Sequence, residues 1–401
     1  MKIGLLITPY KNEEMLKAEM IPITDQRPWL HSVHQKFIIE DKDEDTDWVP
    51  DDISIYYYLK ETYKNKHQIE YIMGNDPFVY DKVKQCDIVF LLIFDMLEAF
   101  HILSHSEFKE MKRTFMLPNV YPPFSFQNFI NNKNKYYQYL MEKGVPVLPM
   151  VHVSSDEFKR NPQECVQRVL QITRGDEGAF IGKPIFGQEK KDFEIFEKNV
   201  ESYKLVKYLE RVTNLYDGCI FQPFVKYLAE KYEFRVYFVG DRYIYTIRTQ
   251  FIPFQGIFDL QFMTMEDDPE LLKIVQFAKK VFSLLPELNM GSKKVDKLVT
   301  RIDISCCFQT SQYFVSEVEF VPSLFSSEQK VVDLMIDQLI GEQIIKISEQ
   351  LDLPSIHSVQ RKETMYRWIG ILVLIIVIVF CIFIVRHVYR RRTTGRRGKK
   401  R

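Results

Sequence analysis

No two glycines stand two residues apart anywhere in this chain, which excludes the G-x-G-x-x-G turn that grips a dinucleotide between a strand and a helix. Cysteine is scarce, six in 401 residues with no C-x-x-C spacing, so a disulfide framework is excluded. Cys86, Cys165, Cys219, Cys306, Cys307 and Cys381 lie in or beside apolar runs and read as buried reduced thiols. Net charge is missing as well: 54 Lys and Arg offset 54 Asp and Glu, and the composition claims no polyanionic partner. Internal repeats and low-complexity tracts are absent. The opening MKIGLLITPY has too short an apolar core for a secretory signal and reads as a first strand. The pairs His31/His34 and His101/His105 have helical metal spacing but no acid or cysteine to complete a zinc site.

One long hydrophobic run is present. Trp368 to Val385 carries no charge over eighteen residues, enough to span a bilayer, with Tyr366 and Trp368 at one interface. No face of that run is polar, which argues against a buried core helix. Residues 386–401 hold nine Lys or Arg and no acid, a tail suited to lipid headgroups directly after a span and not to nucleic acid. Residues 350–367 are polar, contain Pro354 and read as a juxtamembrane linker.

Before residue 124 the chain alternates strands (KIGLLIT, IEYIM, CDIVFLLIF) with helices (ISIYYYLKETY, FVYDKVKQ), the pattern of a parallel, Rossmann-like sheet. The acidic stretch Glu40 to Asp52 reads as a solvated loop. A helix, NFINNKNKYYQYLMEK, then ends at Gly144. From there to residue 349 strands GAFIGKP, GCIFQPFV, EFRVYFVG and RYIYTIRT are mixed with helices over 162–172, 193–212, 269–285 and 329–347, an α+β arrangement.

The last strands of that region carry the sharpest chemistry. RIDISCCF and QYFVSEVEF form a hairpin; a turn centred on Thr310 sets Asp303 opposite Glu317 and Arg301 opposite Glu319 on one face. Ile302, Ile304, Cys306, Phe314, Val318 and Phe320 then share the core face. Carboxylates that close repel unless a cation sits among them, and Mg²⁺ binds through few carboxylates plus phosphate oxygens. A metal–nucleotide site and a charged outer face both fit this hairpin alone. Lys183, at the end of GAFIGKP, can reach phosphate as a point charge. CIFQPFV turns out of a core with exposed backbone groups suited to a base edge.

Taken in order, these segments resemble the ATP-grasp superfamily over residues 132–323. NKNKYYQYLMEKGVPVLPM resembles the family's linker into its ATP-binding region, and the resemblance puts Lys133 on ATP. It implies that Lys183 contacts the α/β-phosphates and that Gln222, Phe224 and Val225 contact adenine. Glu233 would hold the ribose, with Glu230 as a second candidate. Arg301 would contact the transferring phosphoryl group, and Asp303, Glu317 and Glu319 would hold Mg²⁺, with Mn²⁺ an alternative. Arg248 is placed on the substrate side. Two departures stand out. The loop FGQEKKDFE has one glycine where the family's lid is Gly- and Ser-rich, which shifts phosphate closure to Lys190 or Lys191. Glu319 stands where the family usually has Asn.

The expected organisation is a Rossmann-like domain (1–123), ATP-grasp domains (124–349), the linker, a single transmembrane helix (368–385) and a basic tail (386–401). The resemblance implies a ligase that joins a carboxylate to an amine or thiol of a small-molecule or peptide substrate through an acylphosphate. An inositol-phosphate-type kinase of the same fold and a non-catalytic nucleotide-binding membrane scaffold are the alternatives. The expected location is a tail-anchored membrane protein whose catalytic domain is cytosolic, where ATP is, although the positive-inside rule draws the basic tail to that same side.

Overall fold

Buried on both faces, the run KIGLLI has no polar side to turn to water, and only an inner strand of a covered parallel sheet suits it. The computed structural model describes residues 1–351, apart from 8–18, 41–45, 94–110, 172–177, 187–191, 198, 226–231, 252–257, 265–267 and 308–311, together with Trp368. Lys2–Ile7 (β1) pairs in parallel with Gln68–Met73 (β2) and with Ile88–Leu91 (β3), and Val120–Tyr121 (β4) closes the edge, in the order β2-β1-β3-β4. The connection from β1 to β2 includes the helix Asp51–Tyr63 (α1), and Val79–Lys84 (α2) joins β2 to β3. This is the expected Rossmann-like sheet, with the third strand shorter than its apolar run.

Asp51 and Asp52, expected in a solvated loop, are instead buried at the start of α1. Burial and neighbouring Asp52 push the Asp51 carboxyl well above its usual range, and it accepts from the Ser326 hydroxyl at 3.3 Å. The expected helix across Phe124 to Lys143 is two: Phe124–Ile130, then Lys133–Glu142 (α3). Asn132 divides them by capping the second, its side chain accepting from Lys135 N.

Two antiparallel sheets follow. Val151–Ser154 (β5), Phe180–Pro184 (β6), Glu194–Phe196 (β7) and Gly218–Pro223 (β8) form one in the order β7-β6-β8-β5, backed by Ser202–Leu215 (α4). Strand β7 occupies the start of the helix expected over 193–212. Gly182 is required here, because a Cβ would lie 2.8 Å from the Tyr208 ring and 2.9 Å from Phe221. The flush contact on that face turns the neighbouring Lys183 to the other.

Glu233–Val239 (β9), Arg242–Phe251 (β10), Phe258–Met263 (β11), Val299–Cys307 (β12) and Gln312–Phe320 (β13) form the second, in the order β11-β10-β9-β12-β13. Helix Pro269–Leu284 (α5) and helix Ile336–Leu351 (α6) complete this part of the chain. The helix expected over 329–347 breaks at Met335, which has a φ of 54°. Among the described residues no helix is long and apolar enough to cross a membrane; the run 368–385 lies outside them except for Trp368.

Candidate active site

The hairpin β12–β13 is built in the register that alternation predicts. Asp303 pairs with Glu317 and Arg301 with Glu319. A bulge then intervenes: Ile304 faces Val315, and Ser316 is the extra residue. The shift moves Phe314 opposite Ser305, off the face of Ile302 and Ile304 where it was expected, and Val315 takes its place. The turn itself lies outside the described residues.

Strand β9 runs beside β12 with Arg235 opposite Asp303 and Tyr237 opposite Arg301. Glu233, Arg235 and Tyr237 therefore share the face of the carboxylates. Glu233 accepts from the Ser316 hydroxyl at 2.6 Å, and its other oxygen lies 3.6 Å from Arg235 Nε. The bulge thus delivers to this face a serine that strict alternation would turn away.

Arg301 donates to both oxygens of Asp303 at 2.8 Å, and its Nη2 lies 2.9 Å from Glu319. Helix α3 supplies the opposite wall. Lys133 Nζ lies 2.7 Å from Glu317, and the Tyr137 hydroxyl donates to the Ser316 carbonyl. Lys183 Nζ reaches the same hydroxyl at 3.3 Å and stands 5.3 Å from the centre of the Tyr137 ring.

These pairings set the charges. Burial pushes the Glu317 carboxyl up, but Lys133 and Lys183 outweigh it and hold the group down at about 2. Burial pushes Asp303 up to about 7 against the pull of Arg301, and raises Glu319 as well. Burial also pulls Lys183 down to about 8. A half-buried ammonium whose side-chain hydrogen bond goes to a neutral phenol is a place for an anion.

The strand β8 brings a base-sized polar group to the same region. Ile220 pairs with Lys183 and Gln222 with Ile181, so Gln222 shares the face of Lys183. Gln222 is 2% exposed, and its Nε2 has no hydrogen-bond partner among the described residues. Phe224 is half-buried and donates its backbone N–H to the Ala179 carbonyl, while Val225 is buried.

Arg248 is not brought to this cluster. It pairs with Phe234, on the face opposite Arg235, where its guanidinium lies 3.8 Å from the centre of the Tyr232 ring. Neighbouring positions on a strand turn to opposite faces, and Arg235, not Phe234 or its partner Arg248, shares the face of the carboxylates. Glu230, Lys190, Lys191, His101 and His105 lie outside the described residues; His31 and His34 are exposed. Sequence reasoning missed Arg235, Tyr137 and Ser316. For Arg235 the signal was there, since it stands at i+2 from Glu233 on one strand. It also missed Glu19, whose carboxylate accepts from Ser323 and, at 3.0 Å, from Leu324 N. Burial and neighbouring Asp51 push that carboxyl well above its usual range.

Oxygen donors of the type Mg²⁺ requires are present in Asp303, Glu317 and Glu319, and the orphaned Gln222 donor and half-buried Lys183 fit a nucleotide. Among the described residues, however, no group of three or more His, Cys, Asp or Glu converges as a ready metal cage. The cations Lys133 and Arg301 occupy the carboxylates instead.

No protein-family model matches the sequence, and no curated protein matches it. Solved structures do. D-cycloserine synthetase DcsG aligns over 85% of this chain and 99% of its own, with a TM-score of 0.55 and 17% identity. The D-alanine–D-alanine ligase from Bacillus anthracis, complexed with ATP, aligns over 88% and 98%, with a TM-score of 0.51 and 13% identity. That from Coxiella burnetii covers 92% and 99%, at 0.50 and 11%. The chain shares the mixed α/β fold of these ligases.

Proposed function

We propose that this chain is an ATP- and Mg²⁺-dependent ligase that joins a carboxylate to an amine or thiol. One observation carries the reading: Lys133, Lys183, Glu233, Asp303, Glu317 and Glu319, with Arg235 and Arg301, come from both sheets and helix α3 to a single region of an ATP-grasp fold. The solved ligases of that fold support the same class of reaction.

In this reading Gln222, Phe224 and Val225 face adenine and Glu233 the ribose, while Lys133 and Lys183 hold phosphate oxygens. Asp303 and Glu317, with Glu319 beside them, would hold Mg²⁺ or Mn²⁺, which supplies charge neutralisation between the phosphates. Arg301, with its planar fork, is suited to the phosphoryl group in flight. The substrate carboxylate oxygen attacks the γ-phosphorus, the bond to the β-phosphate oxygen breaks, and ADP leaves. The amine or thiol then attacks the acyl carbon and phosphate departs. No covalent nucleophile of the protein is needed; the residues position and stabilise charge.

The substrate is a small molecule or peptide, and residues 368–385 with the basic tail attach the chain to a membrane, the catalytic part lying in the cytosol. ADP release measured across paired acids and amines, with and without Mg²⁺, tests the activity. A ligase turns over only with both substrates. Labelling of an inositol phosphate alone identifies a kinase, and nucleotide binding without turnover on any substrate identifies a scaffold.

A further inference from the structure

We propose that metal enters this site only with nucleotide, because in the free protein Lys133 and Arg301 occupy the carboxylates that would hold it. The inference rests on the reading of these residues as a nucleotide site. The register sets Asp303 directly opposite Glu317, close enough to share an ion. Yet Glu317 is taken by Lys133 at 2.7 Å, and Asp303 is gripped through both oxygens by Arg301 at 2.8 Å, which also holds Glu319 at 2.9 Å. Among the described residues no group of three such ligands converges.

A divalent ion arriving alone meets two obstacles. Mg²⁺ sheds water reluctantly and demands near-octahedral oxygen geometry, which these engaged carboxylates do not offer. It would also leave an ammonium and a guanidinium in a buried region beside a new double charge, the costly outcome of breaking buried pairs one partner at a time. A polyphosphate removes both obstacles. Its oxygens replace Glu317 at Lys133 and Asp303 at Arg301, and the freed carboxylates then face the metal. Partners are exchanged and no charge is left unpaired. Lys183 is the natural point of first contact, since its hydrogen bond goes to the Tyr137 hydroxyl and not to a carboxylate.

The test is Mn²⁺ binding followed by electron paramagnetic resonance on the full chain, with and without a non-hydrolysable ATP analogue, alongside direct titration of the analogue itself. The expected result is Mn²⁺ affinity at least about 10-fold higher with the analogue, within the usual span of coupling between two ligands. Lys133→Met should bind Mn²⁺ without nucleotide at least about 10-fold more tightly than the parent, on the same scale of coupling. Adding Glu317→Gln should cancel that gain. Lys133→Gln reads the same gain if the methionine variant does not fold. Equal Mn²⁺ affinity with and without a bound analogue overturns the proposal, as does the absence of any gain in both Lys133 variants. An analogue that binds at no metal concentration overturns the nucleotide reading itself, and the proposal with it.

Discussion

Arg27 and Asp337 stand 310 positions apart and meet as a fully buried ion pair, Nε to Oδ2 at 3.2 Å. Ser54 Oγ donates to the same carboxylate at 2.5 Å, and Arg27 Nη2 donates to the Val332 carbonyl at 2.7 Å. The pair therefore ties the segment before α1 to α6. Removing one partner strands a charge in the core. Arg27→Ala should cost about 3–5 kcal/mol in chemical denaturation, whereas Arg27→Met combined with Asp337→Leu should recover most of the loss. A single-variant change under about 0.5 kcal/mol, the scale of an ordinary surface substitution, would show that the pair is not a determinant of stability.

Lys183 carries a pH signature. Burial lowers its pKa to about 8 in the free protein. Phosphate favours the charged form, so binding above that pH must also take up a proton. Nucleotide affinity should be level below pH 8 and fall as pH rises beyond it. The stability effect has the opposite slope. The folded pKa lies below the ordinary lysine value, so between the two the unfolded chain binds more protons and stability rises with pH. Calorimetric titration in buffers of different ionisation enthalpy reads the proton uptake; Lys183→Met should abolish it, and an unchanged uptake in that variant would rule this lysine out.

The hairpin register was legible from residue type and order, because strand alternation and a short turn fix which carboxylates face one another. Its bulge was not: nothing in VSEVEF says that Ser316 is the extra residue, and one inserted position moved Phe314 and Val315 to opposite faces. Arg248 lies away from the carboxylate cluster for a related reason, since strand parity decides its face and the sequence alone does not say which parity faces the site. The paired state of the carboxylates was also hidden, because it depends on how far α3 brings Lys133 toward β13. The mixed α/β fold came through, because apolar runs alternating with helices exclude most other arrangements, while the expected membrane helix lies outside the described residues apart from Trp368. Asp51 and Asp52 went the other way, their burial set by contacts with distant segments.

Gln222 should select the base. Its buried amide presents a donor beside an acceptor, the pattern complementary to the N6 and N7 edge of adenine; guanine offers two acceptors on the same edge. Gln222→Leu should weaken ATP binding by about 10-fold or more, in line with one to three kcal/mol for a bidentate base contact. GTP binding, already weak, should change little. Competition between the two nucleotides for a fluorescent analogue measures the ratio; equal losses for both would remove Gln222 from base recognition.

In the proposed site Glu319, besides standing with the metal ligands, would compete with the phosphoryl group for Arg301. Its carboxylate lies 2.9 Å from Nη2, on a guanidinium that already grips Asp303 through two hydrogen bonds. Asparagine in its place keeps the shape and removes the charge, leaving Arg301 held by Asp303 alone on this strand pair. Relieving that repulsion toward phosphate should tighten nucleotide binding in Glu319→Asn by about 5- to 10-fold, near one kcal/mol. Because burial raises the Glu319 carboxyl, the parent loses the same charge by protonation above the usual carboxylate range, and the gap between the two proteins should close as pH is lowered. Titration of both proteins at two pH values checks the direction. Weaker binding by the asparagine variant at neutral pH would mean that Glu319 serves the nucleotide through the metal and not against it through Arg301.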